Sequence, residues 1–389
     1  MPAGTAQSSL DELARRKLEA LERRQLRRRL VETARPSATA AEVAGAALVS
    51  FSCNDYLGLS QHPAVVAASV EATRRFGVGA GSARLVNGNH PLYAELEHRL
   101  AALKDTEDAV VFGSGYLANV GAIPALVGRQ DLIVLDELCH SSLLTGTRVS
   151  GSRMLAFRHN DARHLEELLR TQRRAHRHCL VLTEGVFSME GDLAPLPALA
   201  EVAAAHDAWL MTDDAHGLGV IGNGRGSTFA HAKPAAVPLQ MGTLSKAVGS
   251  YGGYLCASRH VSELVRNRAR SFVYSTGLPP GTVAAASRAL ELIATDRDLV
   301  RRPLLRAQEF TTALALPQAT SAIVSIVVGA ASRALALSAA LRAAGFLVAA
   351  IRPPTVPPGT ARLRVTFSAA HTVEQVAALA AAVRPLLAA

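Results

Sequence analysis

Apolar and polar positions change period along the chain, and each change predicts a different element. Leucines between Leu10 and Leu30 recur at roughly helical spacing, which predicts one long amphipathic helix near the N-terminus. The tetrapeptide that starts at Ser9 has the form of a capping box and is expected to begin this helix. Residues 35–48 are expected to form a linker or a short hairpin. Pro91 is expected to begin another helix, since leucines that share a helical face follow it.

From residue 51 onward, short apolar runs alternate with helical segments. The runs predict strands at Ala109–Phe112, Leu132–Leu135, Leu180–Thr183, Trp209–Thr212, Leu239–Thr243 and Tyr254–Ala257. Such alternation is typical of an α/β domain with a mostly parallel sheet.

The pattern changes after about residue 290 to helix, strand, helix, strand. Here the expected strands are Ile323–Val328, Phe346–Ala350 and Leu363–Phe367, which indicate a smaller α+β domain. We therefore predict an N-terminal helix and linker over residues 1–50, a large α/β domain over 51–290, and a small C-terminal domain over 291–389.

Composition narrows the class of protein. The chain has 389 residues, of which 49% are hydrophobic, so it can bury a large core. The net charge of +9 fits a nucleic acid, a membrane surface or an anionic substrate. Glutamates interrupt the basic residues at 15–35, however, and that mixture is typical of a solvated helix face. We therefore expect neither nucleic acid nor membrane as a partner.

The cysteines and the N-terminus point to a compartment. Four cysteines lie far apart and form no CxxC pair, so the sequence predicts neither a metal site nor a disulfide framework. The segment Met1–Leu10 lacks an apolar signal core. The long uncharged stretch at 310–332 is interrupted by Pro317 and is interpreted as containing a strand. A reduced, cytoplasmic environment is expected.

Two segments carry the parts that pyridoxal phosphate chemistry requires. The predicted strand at Trp209 ends in Asp213 and is followed by His216, and about thirty residues later a Thr243-Leu244-Ser245-Lys246 loop follows another strand. A lysine amine can form a Schiff base with the cofactor aldehyde. A carboxylate can hold the pyridine nitrogen protonated, so that the ring accepts electrons. Lys246 and Asp213 are therefore the candidate catalytic pair.

Other strand ends add candidate contacts. Ser114, Gly115 and Tyr116 lie where a strand passes into a helix, whose first N–H groups can bind a phosphate, although a tight turn would look the same. His140 follows a different strand and could stack on an aromatic ring, or be a surface residue. Glu184 ends yet another strand. Ligands of open α/β sheets collect at the carboxyl ends of strands, so these residues are expected to meet in one crevice.

Two further motifs allow more than one interpretation. Gly217–Gly222 satisfies the dinucleotide-binding pattern GxGxxG, but no helix can begin well after it, and a glycine turn is the better interpretation. Arg352 and Arg364 flank a proline-rich segment that would fix their direction. Each guanidinium could bind a carboxylate through two parallel hydrogen bonds, or could lie on a strand edge at the surface.

Taken together, these residues resemble those of the α-oxoamine synthases, pyridoxal-phosphate enzymes of the fold-type I aminotransferase superfamily. The resemblance covers nearly the whole chain and rests on six segments: Asn54–Leu59, Thr183–Met189, Asp213–Gly217, Thr243–Lys246, Tyr274–Thr276 and Ala361–Arg364. It implies a large domain with a mostly parallel seven-stranded sheet, a smaller α+β C-terminal domain and an N-terminal helical segment.

The resemblance also implies roles for individual residues. Lys246 would hold the cofactor and move the substrate α-proton, Asp213 would pair with the pyridine nitrogen, and His140 would stack on the ring. The remaining cofactor contacts would be Ser114, Gly115, Tyr116, Ser188, His216, Thr243, Ser275 and Thr276, the last two from the partner subunit of a homodimer. Substrate contacts would come from Arg27, Asn54, Arg352 and Arg364.

A closer match within the family, carried by Leu26–Arg29 and Ile351–Arg364, implies the reaction. L-Alanine would condense with pimeloyl-CoA or a pimeloyl carrier protein, with release of CO₂ and the free thiol. A sister synthase that joins glycine or serine to another acyl-CoA is the main alternative. From another class, a non-catalytic regulatory module that binds pyridoxal phosphate is the second.

Overall fold

The computed structural model describes residues 6–24, 26–28 and 30–388. Arg29, part of the N-terminal match, lies outside the described residues. The helices are α1 (Ala6–Arg23), α2 (Pro63–Phe76), α3 (Leu92–Lys104), α4 (Gly115–Leu126), α5 (Ser141–Ser150), α6 (Ala162–Gln172), α7 (Leu196–Ala205), α8 (Arg259–Arg268), α9 (Arg270–Val273), α10 (Pro280–Thr295), α11 (Arg297–Ala313), α12 (Ala331–Ala343) and α13 (Val373–Ala388).

The strands form three sheets. They are β1 (Thr33–Ala34), β2 (Ala40–Val43), β3 (Ala46–Ser50), β4 (Asp108–Phe112), β5 (Leu132–Asp136), β6 (Arg153–Phe157), β7 (Cys179–Glu184), β8 (Trp209–Asp213), β9 (Leu239–Thr243), β10 (Gly253–Ala257), β11 (Ile323–Gly329), β12 (Phe346–Leu347), β13 (Ala349–Ile351) and β14 (Ala361–Thr366).

The largest sheet has seven strands in the order β4-β10-β9-β8-β7-β5-β6. All neighbouring strands run parallel except β10, which is antiparallel to both β4 and β9. The predicted α/β domain with a mostly parallel seven-stranded sheet is therefore confirmed. Because β5, β7, β8 and β9 are parallel, their carboxyl ends open on one edge, and the candidate residues that follow them are brought to that edge.

A smaller sheet, β11-β14-β13, forms the C-terminal α+β part. Its strands pack with α11, α12 and α13 around a separate apolar cluster that includes Phe310, Leu341, Phe367 and Leu379. Phe51 belongs to the same cluster. The remaining sheet, β1-β2-β3-β12, joins the N-terminal strands to the C-terminal part, since β3 pairs with β12 in parallel. The division at residues 50 and 290 stays a prediction.

Several predicted boundaries were wrong, for physical reasons. Helix α1 already contains Ser9, so the capping-box pattern there does not begin it. Strand β6 was not predicted, because at the edge of the sheet three of its five residues are exposed and only Phe157 is fully buried. The apolar run Phe346–Ala350 divides at Val348 between two different sheets. Periodicity reports burial, and it cannot show which sheet a strand joins.

Disulfides, metal sites and membrane-spanning helices were all unexpected from the sequence, and the described residues bear on each. The four cysteines are free. Within the described ranges, no cluster of His, Cys, Asp or Glu side chains is arranged to hold a metal ion. No helix in that part of the chain combines the length and apolar character needed to cross a bilayer.

Candidate active site

Asp213 ends β8 in the middle of the large sheet and is 5% exposed. Its Oδ2 accepts a hydrogen bond from Asn119 Nδ2 at 2.8 Å, and its Oδ1 accepts from the backbone N–H of Ala215 at 3.1 Å. Asn119 lies on α4, one turn past the predicted phosphate loop. These two donors fix the direction of the carboxylate. A buried, oriented negative charge at a strand end is what a pyridinium nitrogen requires.

Lys246 follows β9, and its Nζ lies 2.8 Å from Nε2 of His216. The other ring nitrogen of His216 lies 2.7 Å from the hydroxyl of Tyr56. Burial lowers the pKa of His216 well below its usual value, and the positive charges of Lys246 and Arg364 act in the same direction. Burial also lowers the pKa of Lys246 to about 8. A larger share of the amine is therefore neutral near physiological pH than for an exposed lysine.

Arg364 lies on β14 and is 5% exposed, yet its partners are all neutral. Its guanidinium donates to the backbone carbonyl of Ser188 at 2.6 Å and to Asn54 Oδ1 at 3.2 Å, with the Tyr56 hydroxyl at 3.5 Å. No carboxylate among the described residues lies within ion-pair distance of it. A buried cation without an anion is costly, so this guanidinium is suited to an anionic ligand.

Arg362 provides the contrast, because it lies two residues away on the same strand face. Its Nη1 forms an ion pair with Glu190 at 2.7 Å and also donates to the carbonyl of Met189 at 3.2 Å. The alternation along β14 places both arginines alike, and only the tertiary contacts distinguish them.

The N-terminus of α4 forms the candidate phosphate cradle. Ser114 caps the helix by accepting from the N–H of Leu117 at 3.1 Å. The N–H groups of Gly115 and Tyr116, in the first turn, have no acceptor within the helix. A Cβ at Gly253 would lie 2.5 Å from the nitrogen of Gly115, so glycine is needed where β10 passes the loop. Thr243 closes the other side, with its hydroxyl bonded to the carbonyl of Gly252 at 2.8 Å.

Glu184 ends β7 directly beside Asp213 in the parallel register. Its Oε2 accepts from the N–H of Ser188 at 3.0 Å, and its Oε1 is buried without a hydrogen-bond partner among the described residues. Burial, and then the charge of Asp213, raise the pKa of Glu184 to about 8. His140 caps α5 from the neighbouring strand end, with Nδ1 2.7 Å from the hydroxyl of Ser142. The predicted crevice therefore also contains His140, Glu184 and Ser188.

Other predicted residues lie further out. Arg27 is exposed and pairs with Glu22 at 3.3 Å. Arg352 donates to the carbonyl of Arg27 at 3.5 Å, which places it beside the N-terminal segment. Ser275 and Thr276 line a small cavity with Gly113, next to the phosphate loop of their own chain. Their predicted contribution to a partner's site stays a prediction.

Sequence reasoning assigned no role to three residues at the centre of the site: Asn119, Tyr56 and Glu184. Tyr56 and Glu184 belong to segments that carry the family resemblance, and Asn119 lies one turn beyond the predicted phosphate loop. Their hydrogen-bond partners, however, come from distant parts of the chain and leave no local pattern. Tyr56 is fully buried, and burial raises its pKa, so its hydroxyl keeps its proton between His216 and Arg364.

The residues present fit pyridoxal phosphate on their own chemistry. An amine of lowered pKa, an oriented carboxylate and an open helix N-terminus lie around one edge of the sheet. The fold and the site define a pyridoxal-phosphate-dependent enzyme of fold type I.

Comparison with known proteins gives the family. The family model for aminotransferase class I and II matches residues 46–383. The chain belongs to this family, and the predicted resemblance is confirmed. An 8-amino-7-oxononanoate synthase of Methylobacterium nodulans is 58% identical over 386 residues, which cover 99% of each chain.

Two solved structures are also similar. A serine palmitoyltransferase of S. paucimobilis, solved with a bound PLP–myriocin aldimine, has a TM-score of 0.90 at 30% identity and covers 99% of this chain and 100% of its own. An 8-amino-7-oxononanoate synthase of Francisella tularensis has a TM-score of 0.74 at 25% identity and covers 88% of this chain and 98% of its own. Pyridoxal phosphate is therefore the cofactor, as predicted.

Proposed function

We propose that this enzyme joins L-alanine to a pimeloyl thioester and forms 8-amino-7-oxononanoate, CO₂ and the free thiol, a reaction of biotin biosynthesis. The observation that carries this proposal is Arg364, a buried guanidinium without a carboxylate partner among the described residues, at one end of a hydrogen-bonded chain that reaches Lys246. An amino-acid carboxylate bound there would have its α-carbon directed toward the lysine amine.

The chain's own residues then have defined tasks. When bound, pyridoxal phosphate supplies a carbonyl for the substrate amine and a ring that accepts electron density from the α-carbon. Asp213 would pair with the ring nitrogen and keep it protonated, and the hydrogen bond from Asn119 fixes the direction of the Asp213 carboxylate. Ser114 and the first turn of α4 hold the phosphate. Arg364 and Asn54 hold the substrate carboxylate.

Lys246 is suited to move the α-proton. Its pKa is lowered to about 8, so the free amine is a competent base near neutral pH. Nε2 of His216 lies 2.8 Å from Nζ and can orient the amine. In the overall change, a carbon–carbon bond forms between the alanine α-carbon and the acyl carbonyl carbon. The thiolate leaves and takes up a proton, the carboxylate departs as CO₂, and the α-carbon takes up a proton in its place.

The choice of amino acid and acyl donor rests on the relatives. The proteins named 8-amino-7-oxononanoate synthase reach 56–58% identity over at least 98% of this chain. The serine palmitoyltransferase reaches 30% over a similar share. The higher identity favours alanine and a pimeloyl thioester over the sister reaction with serine.

Exposed apolar residues support a homodimer with shared active sites. Leu10, Leu13, Leu18 and Leu21 lie on one face of α1 and are 39–59% exposed. Other exposed apolar side chains are Val78, Val86, Tyr274 and Tyr116, the last of which lies in the first turn of α4. Patches of this kind mark protein–protein contacts, and a two-fold dimer is the commonest assembly. We propose that Ser275 and Thr276 reach the cofactor phosphate of the other subunit, and that the enzyme acts in the cytoplasm.

An assay of the purified enzyme tests the reaction. Alanine, glycine and serine are each offered with a panel of acyl-CoA thioesters and with pimeloyl carrier protein, and thiol release, CO₂ and product mass are measured. Alanine with a pimeloyl thioester should give the highest kcat/KM. Faster turnover of glycine or serine with another acyl-CoA would assign a sister synthase. A bound cofactor without turnover of any pair would favour the regulatory module.

A further inference from the structure

His159 lies outside the crevice, between two carboxylates on different loops. Its Nδ1 lies 3.1 Å from Oδ1 of Asp136, and its Nε2 lies 2.9 Å from Oδ2 of Asp192. A neutral imidazole has a single N–H and can donate to one of them. Only the imidazolium can donate to both, so this geometry favours the charged ring. The amide of Asn160 also lies 3.3 Å from Nε2, but its shorter contact, at 2.9 Å, is to Oδ2 of Asp192.

The groups around His159 stabilise the positive charge of its imidazolium. Burial alone would lower the pKa of His159, but the hydrogen bonds and charges of Asp136 and Asp192 raise it to about 10. Glu137 adds a third carboxylate, which accepts the backbone N–H of His159 at 3.0 Å. Asp136 is fully buried, so its pairing is little screened by solvent.

Asp136 and Asp192 each lie at one end of a loop that contributes a residue to the active site. Asp136 ends β5, and the loop that follows it carries His140. Asp192 closes a tight turn over residues 187–192, here called the Ser188 turn, in which the N–H of Phe187 donates to the carbonyl of Asp192 at 3.0 Å. The ring of His159 also meets the ring of Phe187 edge-on, with centroids 4.4 Å apart.

The Ser188 turn is held on its other side by the small domain. Arg364 donates to the carbonyl of Ser188 at 2.6 Å, and Ser321 Oγ donates to the carbonyl of Gly191 at 2.7 Å. At Gly191, φ is +83° and a Cβ would lie 2.3 Å from the carbonyl oxygen of Ile323, so only glycine fits. The turn therefore lies between His159 and Arg364 and contacts both of them.

We infer that His159 is a positioning residue that, as an imidazolium, links the His140 loop to the Ser188 turn and thereby sets Arg364 for the substrate carboxylate. It touches no reacting atom. The inference rests on the proposed binding of the alanine carboxylate at Arg364.

Two measurements on the holoenzyme test it. The first is the ¹⁵N NMR shift of the His159 ring nitrogens at pH 8, where both should be protonated, and where Asp192→Asn should lower the pKa. The second is an alanine titration followed by the cofactor absorbance. His159→Gln should weaken alanine binding about tenfold while the cofactor remains attached to Lys246. The double variant His159→Gln/Asp192→Asn should bind alanine about as weakly as His159→Gln alone, because both substitutions remove the same His159–Asp192 contact.

His178→Gln is the matched control, since His178 lies just before β7, at the end of that strand opposite the crevice, and stacks on Trp209. It should leave alanine affinity unchanged. A neutral His159 ring at pH 8 would overturn the inference. So would unchanged affinity in His159→Gln while Arg364→Lys weakens binding. If neither variant affects alanine, the carboxylate assignment of Arg364 fails, and this inference fails with it.

Discussion

At the residue scale, the identity of the cofactor-bearing lysine can be checked among very few candidates. The chain has four lysines: Lys17, Lys104, Lys233 and Lys246. Lys104 is fully buried in an ion pair with Asp214 at 2.8 Å. Only Lys246 combines a lowered pKa with a place in the crevice. Borohydride reduction and peptide mass mapping should find the pyridoxyl group on Lys246, and a label on another lysine would refute the site.

Asp213 and its neighbour Asp214 should fail in different ways. Asp213→Asn removes the charge opposite the pyridinium and should lower kcat/KM by on the order of a hundredfold, about 3 kcal/mol, with little change in stability. Asp214→Asn leaves Lys104 buried without its anion and should lower the free energy of unfolding by about 3–5 kcal/mol. Kinetics and urea unfolding of both variants separate the two roles. Activity of Asp213→Asn within about threefold of wild type, under roughly 1 kcal/mol, would make Asp213 structural.

The two arginines of β14 should also separate. Arg364→Lys cannot reproduce a forked contact and should weaken alanine binding by roughly 1.5–3 kcal/mol, while the absorbance of the lysine-bound cofactor persists. Arg362→Lys should affect alanine less, because Arg362 is already paired with Glu190. Titration with alanine measures both. A loss confined to Arg362→Lys would place the carboxylate one strand repeat away.

At this scale the sequence predicts where the site residues lie along the strands, but it does not show which side chains they bond to. It placed Lys246, Asp213, His216 and His140 at strand ends, since strand-end residues follow from the apolar pattern. Strand alternation does not distinguish Arg364 from Arg362, because the partner of Arg362, Glu190, comes from a distant turn. Asn119 and Tyr56 were missed for the same reason.

At the element scale, the connection between β14 and α13 depends on a neutral histidine. His371 accepts from the N–H of Ser368, bonds to the carbonyl of Ser50 at 3.0 Å and stacks on Phe51. Burial lowers the pKa of His371 to about 4. Below about pH 6.5 the unfolded chain binds a proton at this histidine that the folded chain excludes. The free energy of unfolding therefore decreases as the pH is lowered, by up to roughly 3 kcal/mol near pH 4.

Urea unfolding between pH 4 and 7.5 measures this dependence. His371→Asn cannot titrate in that range, so its free energy of unfolding should depend less on pH than that of the wild type, although it is lower throughout. Equal slopes for the two proteins would show that His371 is not the responsible group.

The sequence located most strands within two residues of their observed ends. The strands that it missed or merged lie at a sheet edge or where the chain passes from one sheet to another. Arg153–Phe157 is an edge strand with little burial, and Val348 separates two strands that belong to different sheets. Local periodicity of apolar residues does not reveal either an edge strand or a change from one sheet to another.

At the scale of the whole molecule, shared active sites predict complementation. Lys246→Ala and Thr276→Ala subunits should each be strongly impaired as homodimers. If Thr276 serves the partner's site, a mixed dimer has one site with both residues intact and should recover part of the activity. Refolding the two variants together and measuring turnover tests this. Recovery is not expected if Thr276 serves its own subunit.

The overall architecture followed from the alternation of strands and helices, while the assembly did not. Periodicity showed a leucine face on α1, yet a leucine face alone is compatible with burial inside one chain. Only the exposure of that face in the folded chain favours a second copy.

The pairing of β3 with β12 has a consequence for synthesis. Val49 and Phe346 are register partners, and about 300 residues separate them. At 5–20 residues per second, a ribosome needs roughly 15–60 s to supply the second strand after the first has emerged. During that time Phe51 has no small-domain core to enter. The nascent N-terminal hairpin must therefore wait with an open strand edge, and the small domain closes only when translation is nearly finished.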